Sequence, residues 1–266
     1  MASLNNKIVW VTGASSGIGE ALVKLLAEKN VKLILSSRKA EVLEKVRTSL
    51  SETAQNNCKI LPLDLSQPDT LVEKASEAQA FFGKIDAIIH SGGISQRAMA
   101  IDTQIEVDRK LMEVNYFAAV ILTKAVLPSM IENGFGHIVS ISSLVGKFGS
   151  PFRSGYAASK HALHGFFDSL RAEVYTKNIF VTLVTPGFVK TNVSLNALTE
   201  DGKALNQMDD AQENGMTAEQ CAKKIIRGVE KEQNELLMGG KETLAVYIKR
   251  FFPGMFAKII RKAKVR

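Results

Sequence analysis

Short apolar runs alternate with longer amphipathic stretches along most of the chain. The apolar runs are hydrophobic or β-branched almost throughout, which is typical of parallel strands buried on both faces. Seven of them predict strands, at residues 7–12, 31–36, 59–63, 87–90, 137–141, 180–185 and 235–238. The amphipathic stretches predict helices near residues 17–29, 39–53, 68–82, 105–131, 155–177 and 217–232. This alternation predicts an α/β fold in which helices cover both faces of one doubly wound parallel sheet of about seven strands.

The same pattern predicts a single domain over residues 1–240 and a separate extension over residues 241–266. A chain of 266 residues can bury a large core without disulfides or metals. No internal repeat or interdomain linker interrupts the alternation of strands and helices. Residues 192–215, after the sixth predicted strand, are weakly patterned, and an unpatterned segment in that place predicts a lid over a binding site.

The charge of the chain is concentrated at one end. Lys and Arg number 34 against 27 Asp and Glu, which gives a net charge of +7. Residues 241–266 hold eight of the basic residues and one acid, Glu242, so residues 1–240 are neutral overall. A nucleic-acid-binding protein would carry a basic patch or groove on its folded body. We therefore expect no nucleic-acid partner.

Cysteine and histidine usage argues against a metal site. Cys58 and Cys221 can form neither a disulfide framework nor a Cys-type zinc site, which favours a reducing compartment. His161 and His164 share one predicted helix without a third ligand, so packing explains them better than metal binding. The first predicted strand begins at Lys7, and no charge-free run reaches the ~18 residues of a membrane span. We expect a cytoplasmic protein without a metal.

The basic extension also has an apolar pattern at helical spacing, formed by Leu244, Ile248, Phe251, Phe252, Met255 and Ile259. Pro253-Gly254 predicts a break into two short helices. Two interpretations stay open. The helices could make peripheral contact with an anionic membrane, or they could pack on the body and cover the substrate cleft or a subunit interface.

A glycine-rich turn follows the first predicted strand and opens the first predicted helix. Gly13 permits a tight turn, while Gly17 and Gly19 allow close approach of the backbone to a pyrophosphate and of the helix to the strand. With Ser15, Ser16 and Ile18, these residues would place a helix N-terminus against the phosphates of a dinucleotide. The turn predicts the Rossmann-type, dinucleotide-binding form of the α/β fold.

The end of the second predicted strand indicates which dinucleotide is preferred. An acid there would bind the 2′-hydroxyl of NAD, whereas Arg38 suits the 2′-phosphate of NADP, and no acid occurs before Glu41. The sequence favours NADP and leaves NAD open.

A Tyr–Lys pair and a serine supply candidate chemistry. Tyr156 and Lys160 are spaced i to i+4 at the start of a predicted helix and so share one face. An ammonium about 4 Å away at an effective dielectric of ~20 would favour the phenolate by ~4 kcal/mol, or ~3 pKa units, before desolvation opposes it. Ser143 follows the fifth predicted strand, at the sheet edge where ligands bind. Together they predict a general acid/base, Tyr156, beside a hydroxyl that can hold a carbonyl oxygen.

The spacing Gly-x-x-x-Gly-x-Gly, preceded by Thr12, resembles the short-chain dehydrogenase/reductase family, and the resemblance runs from about Lys7 to Gly240. It implies that Asp64 and Leu65 lie at the adenine, that the backbone at Gly92 contacts the cofactor, and that Asn115 positions a water for Lys160. It also implies a cofactor-binding turn formed by Pro186, Gly187, Val189 and Thr191, whose threonine meets the nicotinamide carboxamide. His90-Ser91-Gly92-Gly93 replaces the usual Asn-Asn-Ala-Gly of the family, so we interpret His90 as a structural residue at a strand end.

Residues 91–103 and 152–172 are also similar to the animal dehydrogenase/reductases called member seven of this family. The resemblance implies an oxidoreductase that transfers a hydride between NADP(H) and a ketone or secondary alcohol, as a homodimer or homotetramer joined by helices near 105–131 and 155–177. An apolar cleft is expected from Leu144, Val145, Phe148, Phe152, Phe188, Leu195 and Leu198, which favours a lipophilic small-molecule substrate. Two alternatives remain, a β-ketoacyl carrier-protein reductase and a non-catalytic NADP-binding protein.

Overall fold

A seven-stranded parallel sheet organises the protein, whose computed structural model describes residues 4–263. The strands are β1 Ile8–Thr12, β2 Lys32–Ser36, β3 Cys58–Ile60, β4 Ala87–His90, β5 Gly136–Ile141, β6 Ile179–Pro186, β7 Val189–Lys190, β8 Met216–Thr217 and β9 Glu235–Met238. The sheet runs in the order β3-β2-β1-β4-β5-β6-β9, while β7 and β8 pair with each other alone. All seven predicted strands are present, and the predicted doubly wound parallel fold is confirmed.

Eleven α-helices accompany these strands within residues 4–263, and the last two follow β9. They are α1 Gly17–Ala27, α2 Ala40–Thr48, α3 Glu52–Asn56, α4 Pro68–Ala80, α5 Ile105–Met112, α6 Ala118–Glu132, α7 Ser154–Val174, α8 Asp210–Glu213, α9 Ala218–Glu230, α10 Leu244–Phe251 and α11 Pro253–Ile260. Short 3₁₀ turns cover Leu144–Gly146, Tyr175–Lys177 and Lys241–Thr243. Helices α1 and α9 contribute to the core on one face of the sheet, and α4, α6 and α7 to the core on the other.

Three predicted elements differ in detail for local reasons. The third strand spans Cys58–Ile60, shorter than predicted, although Leu61 N donates to Leu35 O and Leu63 N to Ser37 O, both at 2.9 Å, so the hydrogen bonds to the β2 side continue past its end. The predicted helix 39–53 is divided, and the Ser51 side chain caps the second part by accepting from Ala54 N at 3.4 Å. The predicted helix 105–131 contains one π-helical turn, Glu113–Phe117, between α5 and α6.

The stretch Ile105–Glu132 is long and apolar enough to cross a membrane by length and composition, and among residues 4–263 it is the one helix that is. Half of its most apolar window is buried inside the protein. Leu122, Val126 and Met130 lie in the core with α4 and the sheet. Such burial is typical of a core helix in an α/β domain.

The sheet topology places a crevice above its centre. Strand β1 pairs with β2 on one side and with β4 on the other, with Thr12 opposite both Ser36 and His90. The chain winds outward in both directions from this point, and ligands of open α/β sheets bind at the carboxyl ends of the strands beside it. The functional site is therefore expected above Thr12.

The extension forms the two predicted short helices, with Pro253 at the first position of α11. One side of them packs on the body: Phe256 is 7% exposed and its ring lies 5.3 Å from that of Phe148, centroid to centroid. Ala245, Val246, Ile248 and Ile260 join the same cluster. Of the apolar positions singled out in the sequence, only Ile248 packs there, because the break turns a different face of each helix inward.

Candidate active site

One cavity of about 810 Å³ lies at the carboxyl ends of the strands. The glycine turn and the ends of β2 and β4 line one part of it, and the loop after β5, the start of α7 and the C-terminal helices line the other. All the candidate site residues except Gly19 and Asn115 line this cavity: Gly13, Ser15, Ser16, Gly17, Ile18, Arg38, Asp64, Leu65, Gly92, Ser143, Tyr156, Lys160, Pro186, Gly187, Val189 and Thr191. The structure thus brings together residues separated by up to 178 positions.

The glycine turn is shaped for close packing. Gly13 has a φ of 68°, and a Cβ atom there would lie 2.6 Å from the Cα of Gly92. A Cβ at Gly19 would lie 2.2 Å from the carbonyl oxygen of Gly13, so Gly19 stands behind the turn and supports it. Helix α1 begins after Ser16, whose side chain makes no capping hydrogen bond in the described structure. Its N-terminal N–H groups can therefore serve a phosphate.

The end of β2 is a polar site without an acid. Arg38 is exposed and lines the cavity beside Ser37, whose hydroxyl is buried and has no hydrogen-bond partner within residues 4–263. Across the cavity wall, the Asp64 carboxylate accepts from the backbone and side chain of Ser66 at 2.9 and 2.8 Å. The glycine cradle, the uncapped helix and the Ser37–Arg38 pair fit a phosphorylated dinucleotide.

Ser143, Tyr156 and Lys160 stand together at the other part of the cavity. Ser143 caps the 3₁₀ turn after β5, where its Oγ accepts from Val145 N at 3.4 Å, and its hydroxyl is among the groups that lower the pKa of Tyr156. Lys160 Nζ lies 5.8 Å from the centre of the Tyr156 ring and donates to Ile141 O at 2.8 Å. The cluster can hold a carbonyl oxygen and exchange a proton with it.

The electrostatics of the pair differ from the sequence-based expectation. Burial raises the pKa of Tyr156 above its ordinary value, and Lys160 is not among the groups that lower it. Burial also lowers the pKa of Lys160 to about 8. The lowering expected from Lys160 is not found in the protein without ligand, because the desolvation expected to oppose it outweighs the charges around Tyr156. Tyr156 is accordingly protonated at neutral pH, ready to act as an acid.

Asn115 lies in the π-helical turn, behind the cluster of Ser143, Tyr156 and Lys160. Its Oδ1 accepts from Ile94 N at 2.8 Å, and its Nδ2 donates to Ile94 O and Ser159 Oγ, both at 2.9 Å. A second cavity of about 10 Å³, lined by Asn115 and Lys160, lies beside it. That is close to the volume one buried water needs.

His90 is the last residue of β4, at the position where the Asn-Asn-Ala-Gly pattern begins. Its Nε2 is 2.8 Å from Thr123 Oγ1 on α6, and burial lowers its pKa to about 3. The backbone N–H of Gly92 donates to Thr12 Oγ1 at 3.5 Å, which ties the ends of β4 and β1. A buried neutral histidine hydrogen-bonded between a strand and a helix is a structural residue, as its place in the sequence suggests.

Residues 192–215, the segment predicted to be a lid, are held by the loop after β4. Leu198 N donates to Ser95 O and Arg97 N donates to Leu198 O, both at 2.8 Å. Thr191, just before the lid, packs against the glycine turn: its Cγ2 would lie 3.1 Å from a Cβ at Gly17. Seven residues of this segment line the cavity: Asn192, Val193, Asn196, Leu198, Gly202, Ala204 and Gln212.

Sequence reasoning missed a group of polar residues around the start of α7. Gln96 Oε1 accepts from Gly155 N at 2.9 Å and Tyr156 N at 3.2 Å, which caps the helix that carries Tyr156. Arg97 and Arg153 line the cavity and both contact Asp209. No local pattern signals these residues, because their contacts join distant segments.

Comparisons with known proteins agree with this architecture. A family model described as short chain dehydrogenase matches residues 7–202. A mouse protein named dehydrogenase/reductase SDR family member 7B is 42% identical over 263 residues, covering 97% of this chain and 81% of its own length. A Drosophila melanogaster protein named dehydrogenase/reductase SDR family protein 7-like is 39% identical over 267 residues, covering 99% and 82%.

Solved structures share the fold. A short chain dehydrogenase from Burkholderia cenocepacia in complex with NADP has a TM-score of 0.79 at 20% identity, covering 98% of this chain and 100% of its own. One from Burkholderia phymatum in complex with NAD has a TM-score of 0.83 at 20% identity, covering 96% of each chain. Because the family model spans most of the chain and the relatives align over nearly all of it, the protein belongs to the short-chain dehydrogenase/reductase family of NAD(P)-dependent oxidoreductases.

Proposed function

We propose that the protein transfers a hydride between NADP(H) and a lipophilic ketone or secondary alcohol, with Tyr156 as the general acid/base. The observation that carries the proposal is one cavity lined by the glycine turn and by Ser143, Tyr156 and Lys160. A dinucleotide with its phosphates at α1 would extend along this cavity toward the three side chains. Family membership supports the reaction class, and the cluster supports the assignment of roles.

NADPH, when bound, supplies the hydride that the protein itself cannot provide. In reduction, Tyr156 donates its phenolic proton to the carbonyl oxygen, while Ser143 holds that oxygen by a hydrogen bond. Lys160, with a pKa of about 8, is mostly protonated at neutral pH and can return a proton to Tyr156. Asn115, fixed by Ile94 and Ser159, would orient a water beside Lys160.

The preference for NADP rests on the end of β2. Arg38 offers a guanidinium, and the buried Ser37 hydroxyl offers a further donor, to a 2′-phosphate. A carboxylate that would repel the phosphate and favour NAD is absent from residues 36–40. Structural neighbours carry either cofactor, so this feature of the chain is what favours NADP.

A lipophilic substrate is supported by the wall opposite the glycine turn. Of the apolar residues expected there, Phe152 and Leu195 do not line the cavity and the other five do: Leu144, Val145, Phe148, Phe188 and Leu198. The extension adds five more lining side chains: Ala245, Phe256, Ile259, Ile260 and Ala263. Such a wall would favour an apolar carbonyl compound.

We also propose that α10 and α11 rest on an anionic membrane surface, on the side facing away from the body. The exposed apolar side chains there are Leu244, Tyr247, Phe251, Phe252, Met255 and Ile259. No acid follows Glu242, so the surrounding charges are all basic. Each basic residue near anionic lipid contributes about 1 kcal/mol. Since Ile259 is half exposed and also lines the cavity, this surface adjoins the mouth of the substrate cleft.

Vesicle co-sedimentation tests the membrane contact. We expect binding to vesicles containing phosphatidylserine at low salt, weak binding to pure phosphatidylcholine, and loss of binding in a Phe251→Ser, Phe252→Ser double variant. Tyr175→Ser is the matched control, because Tyr175 is 78% exposed elsewhere. Full-length protein that ignores anionic vesicles would refute the contact.

Assembly and location complete the proposal. We propose a cytoplasmic homodimer or homotetramer formed through the helices near 105–131 and 155–177, where Ile105 and Phe117 are 55% and 45% exposed. Light scattering would measure the mass, and a monomer at micromolar concentration would refute the assembly. Cys58 and Cys221 are buried free thiols, consistent with a reducing compartment.

A panel of carbonyl compounds tests the function itself. NADPH consumption is followed with steroid-like and retinoid-like ketones, fatty ketones, sugars and an acetoacetyl carrier protein. We expect turnover with the lipophilic ketones. Activity confined to the carrier-protein substrate would favour the β-ketoacyl reductase alternative, and NADPH binding without turnover of any carbonyl would favour a non-catalytic protein.

A further inference from the structure

A buried ion cluster connects the lid to the helix that carries Tyr156. Arg97 follows β4, Arg153 directly precedes α7, and Asp209 lies in the lid at the start of α8. Their side chains are only 1%, 11% and 5% exposed. Charged side chains are costly to bury, so a cluster in this position calls for an explanation beyond solubility.

The Asp209 carboxylate is shared unequally between the two arginines. Arg97 Nε donates to its two oxygens at 3.3 and 3.0 Å, and Arg97 Nη2 donates a further, short hydrogen bond to Oδ2. Arg153 Nη2 reaches the same Oδ2 at 3.3 Å, and the buried Arg153 Nε has no partner among residues 4–263. Two guanidinium groups against one carboxylate leave an excess of one positive charge.

That excess charge lies beside Tyr156. Arg153 comes one helical turn before Tyr156, and both residues line the cavity. Among the influences that lower the pKa of Tyr156 against the effect of burial, Arg153 is the largest, ahead of the Ser143 hydrogen bond and of Arg97. Arg153 itself remains a cation at neutral pH, because burial and Arg97 lower its pKa only to about 10.

We infer that Arg153 is a positioning residue whose positive charge, held in place by Asp209 of the lid, stabilises the ionised oxygen of Tyr156. The inference rests on the proposed acid/base role of Tyr156. In alcohol oxidation the Tyr156 oxygen takes the hydroxyl proton of the substrate as the hydride leaves the carbon for the oxidised dinucleotide. In reduction the same proton returns to the carbonyl oxygen. Arg153 therefore sets the pH range in which Tyr156 exchanges this proton.

Other charged groups face Tyr156 from the elements packed around it and stay unchanged in the variants below. Lys160 lies on α7 itself. From α5, Asp108 Oδ1 would lie 2.1 Å from a Cβ at Gly155, and Lys110 lines the cavity. Glu242, before α10, lines the cavity from the extension. None of them contacts Asp209 among the described ion pairs, so the two cluster variants act through Arg153 and Arg97.

The test is the pH dependence of kcat for oxidation of an alcohol substrate, in two variants that shift it in opposite directions. Arg153→Gln removes the cation, so the pH of half-maximal kcat should rise by about one unit, with about a tenfold loss of rate below it. Asp209→Asn removes the negative charge but keeps a side-chain oxygen that can accept from the guanidinium groups, so both cations stay in place and the same pH should fall. Arg153→Lys should restore most of the profile, and Arg47→Gln, the same charge change at a surface pair with Glu44, should leave it unmoved.

A merely structural role would lower the melting temperature and the rate without moving the pH profile. An Arg153→Gln profile that superimposes on the parent profile overturns the inference, as does a shift of both variants in one direction. If Arg153→Gln does not fold, the downward shift in Asp209→Asn decides alone, and its absence overturns the inference. Retained turnover in Tyr156→Phe would instead overturn the proposed function, so the two failures are distinguishable.

Discussion

Replacing Arg38 by Asp should convert the cofactor preference from NADP to NAD. Arg38 is exposed, lines the cavity and stands next to the unpartnered Ser37 hydroxyl at the end of β2. The substitution removes a charge-assisted contact to a 2′-phosphate and places a carboxylate where the 2′-hydroxyl of NAD would lie. The change is therefore expected to act on the two cofactors in opposite directions.

The magnitude follows from the exposure of the site. A hydrogen bond to a charged group contributes about 1.5–3 kcal/mol, and solvent screening at an exposed arginine places the loss near ~1.5 kcal/mol. Repulsion between the new carboxylate and a doubly charged phosphate adds about 2 kcal/mol at water-like dielectric. The sum, ~3.5 kcal/mol, corresponds to NADPH binding about 300-fold more weakly. A new hydrogen bond to the ribose should strengthen NADH binding about fivefold, a gain of ~1 kcal/mol.

Fluorescence titration with NADPH and NADH measures both dissociation constants. Lys39→Asp is the matched control, since it makes the same charge change at the adjacent exposed residue, which does not line the cavity. The control should change NADPH binding less than threefold, the level of weak surface electrostatics. An NADPH affinity in Arg38→Asp equal to that of the parent would refute contact between Arg38 and the phosphate.

Two further predictions concern stability. Burial lowers the pKa of Lys160 from 10.5 to about 8, so its positive charge destabilises the folded protein below pH 8. Lys160→Met should therefore raise the free energy of unfolding at pH 7 by up to about 3 kcal/mol, while abolishing turnover. A loss of stability in denaturant titration would contradict this prediction. Buried His90 and His137 have pKa values of about 3 and about 4, below the unfolded value of 6.5, so the free energy of unfolding should fall as the pH decreases from about 6.5 toward 4. A free energy of unfolding that stays constant over that pH range in urea titrations would contradict the histidine prediction. For the Lys160 prediction, the control is Lys24→Met, because Lys24 forms an exposed ion pair with Glu20 on a helix.

The strands were predictable because a parallel sheet buried on both faces leaves a local signature. Each strand is a short run of apolar residues, because both of its faces are covered by helices. Strands β1 and β4, for example, are buried along their whole length. The π-helical turn at Glu113–Phe117 left no such signature. It depends on the contacts that Asn115 makes with Ile94 and Ser159, residues that are distant in sequence.

The candidate site likewise contains residues that the sequence predicts and residues that it does not. The glycine turn, Ser143 and the Tyr156–Lys160 pair follow predicted strand ends or open a predicted helix, so topology alone brings them together. The Arg97–Asp209 pair joins residues 112 positions apart, and an arginine in sequence gives no sign that it is buried. The direction of the pKa of Tyr156 depends on the same burial. What the sequence could not predict is how strongly these charged groups are desolvated, which only the packed structure determines.

The central claim is that Tyr156 transfers the proton, and Tyr156→Phe tests it most directly. The substitution removes one hydroxyl, so NADPH binding should stay within twofold while kcat for ketone reduction falls by at least 10²-fold, the usual contribution of a general acid. Tyr175→Phe, the same change at a residue that is 78% exposed and outside the cavity, should retain full activity. We expect bound NADPH and no measurable turnover in Tyr156→Phe; a rate within tenfold of the parent enzyme would contradict proton transfer by Tyr156.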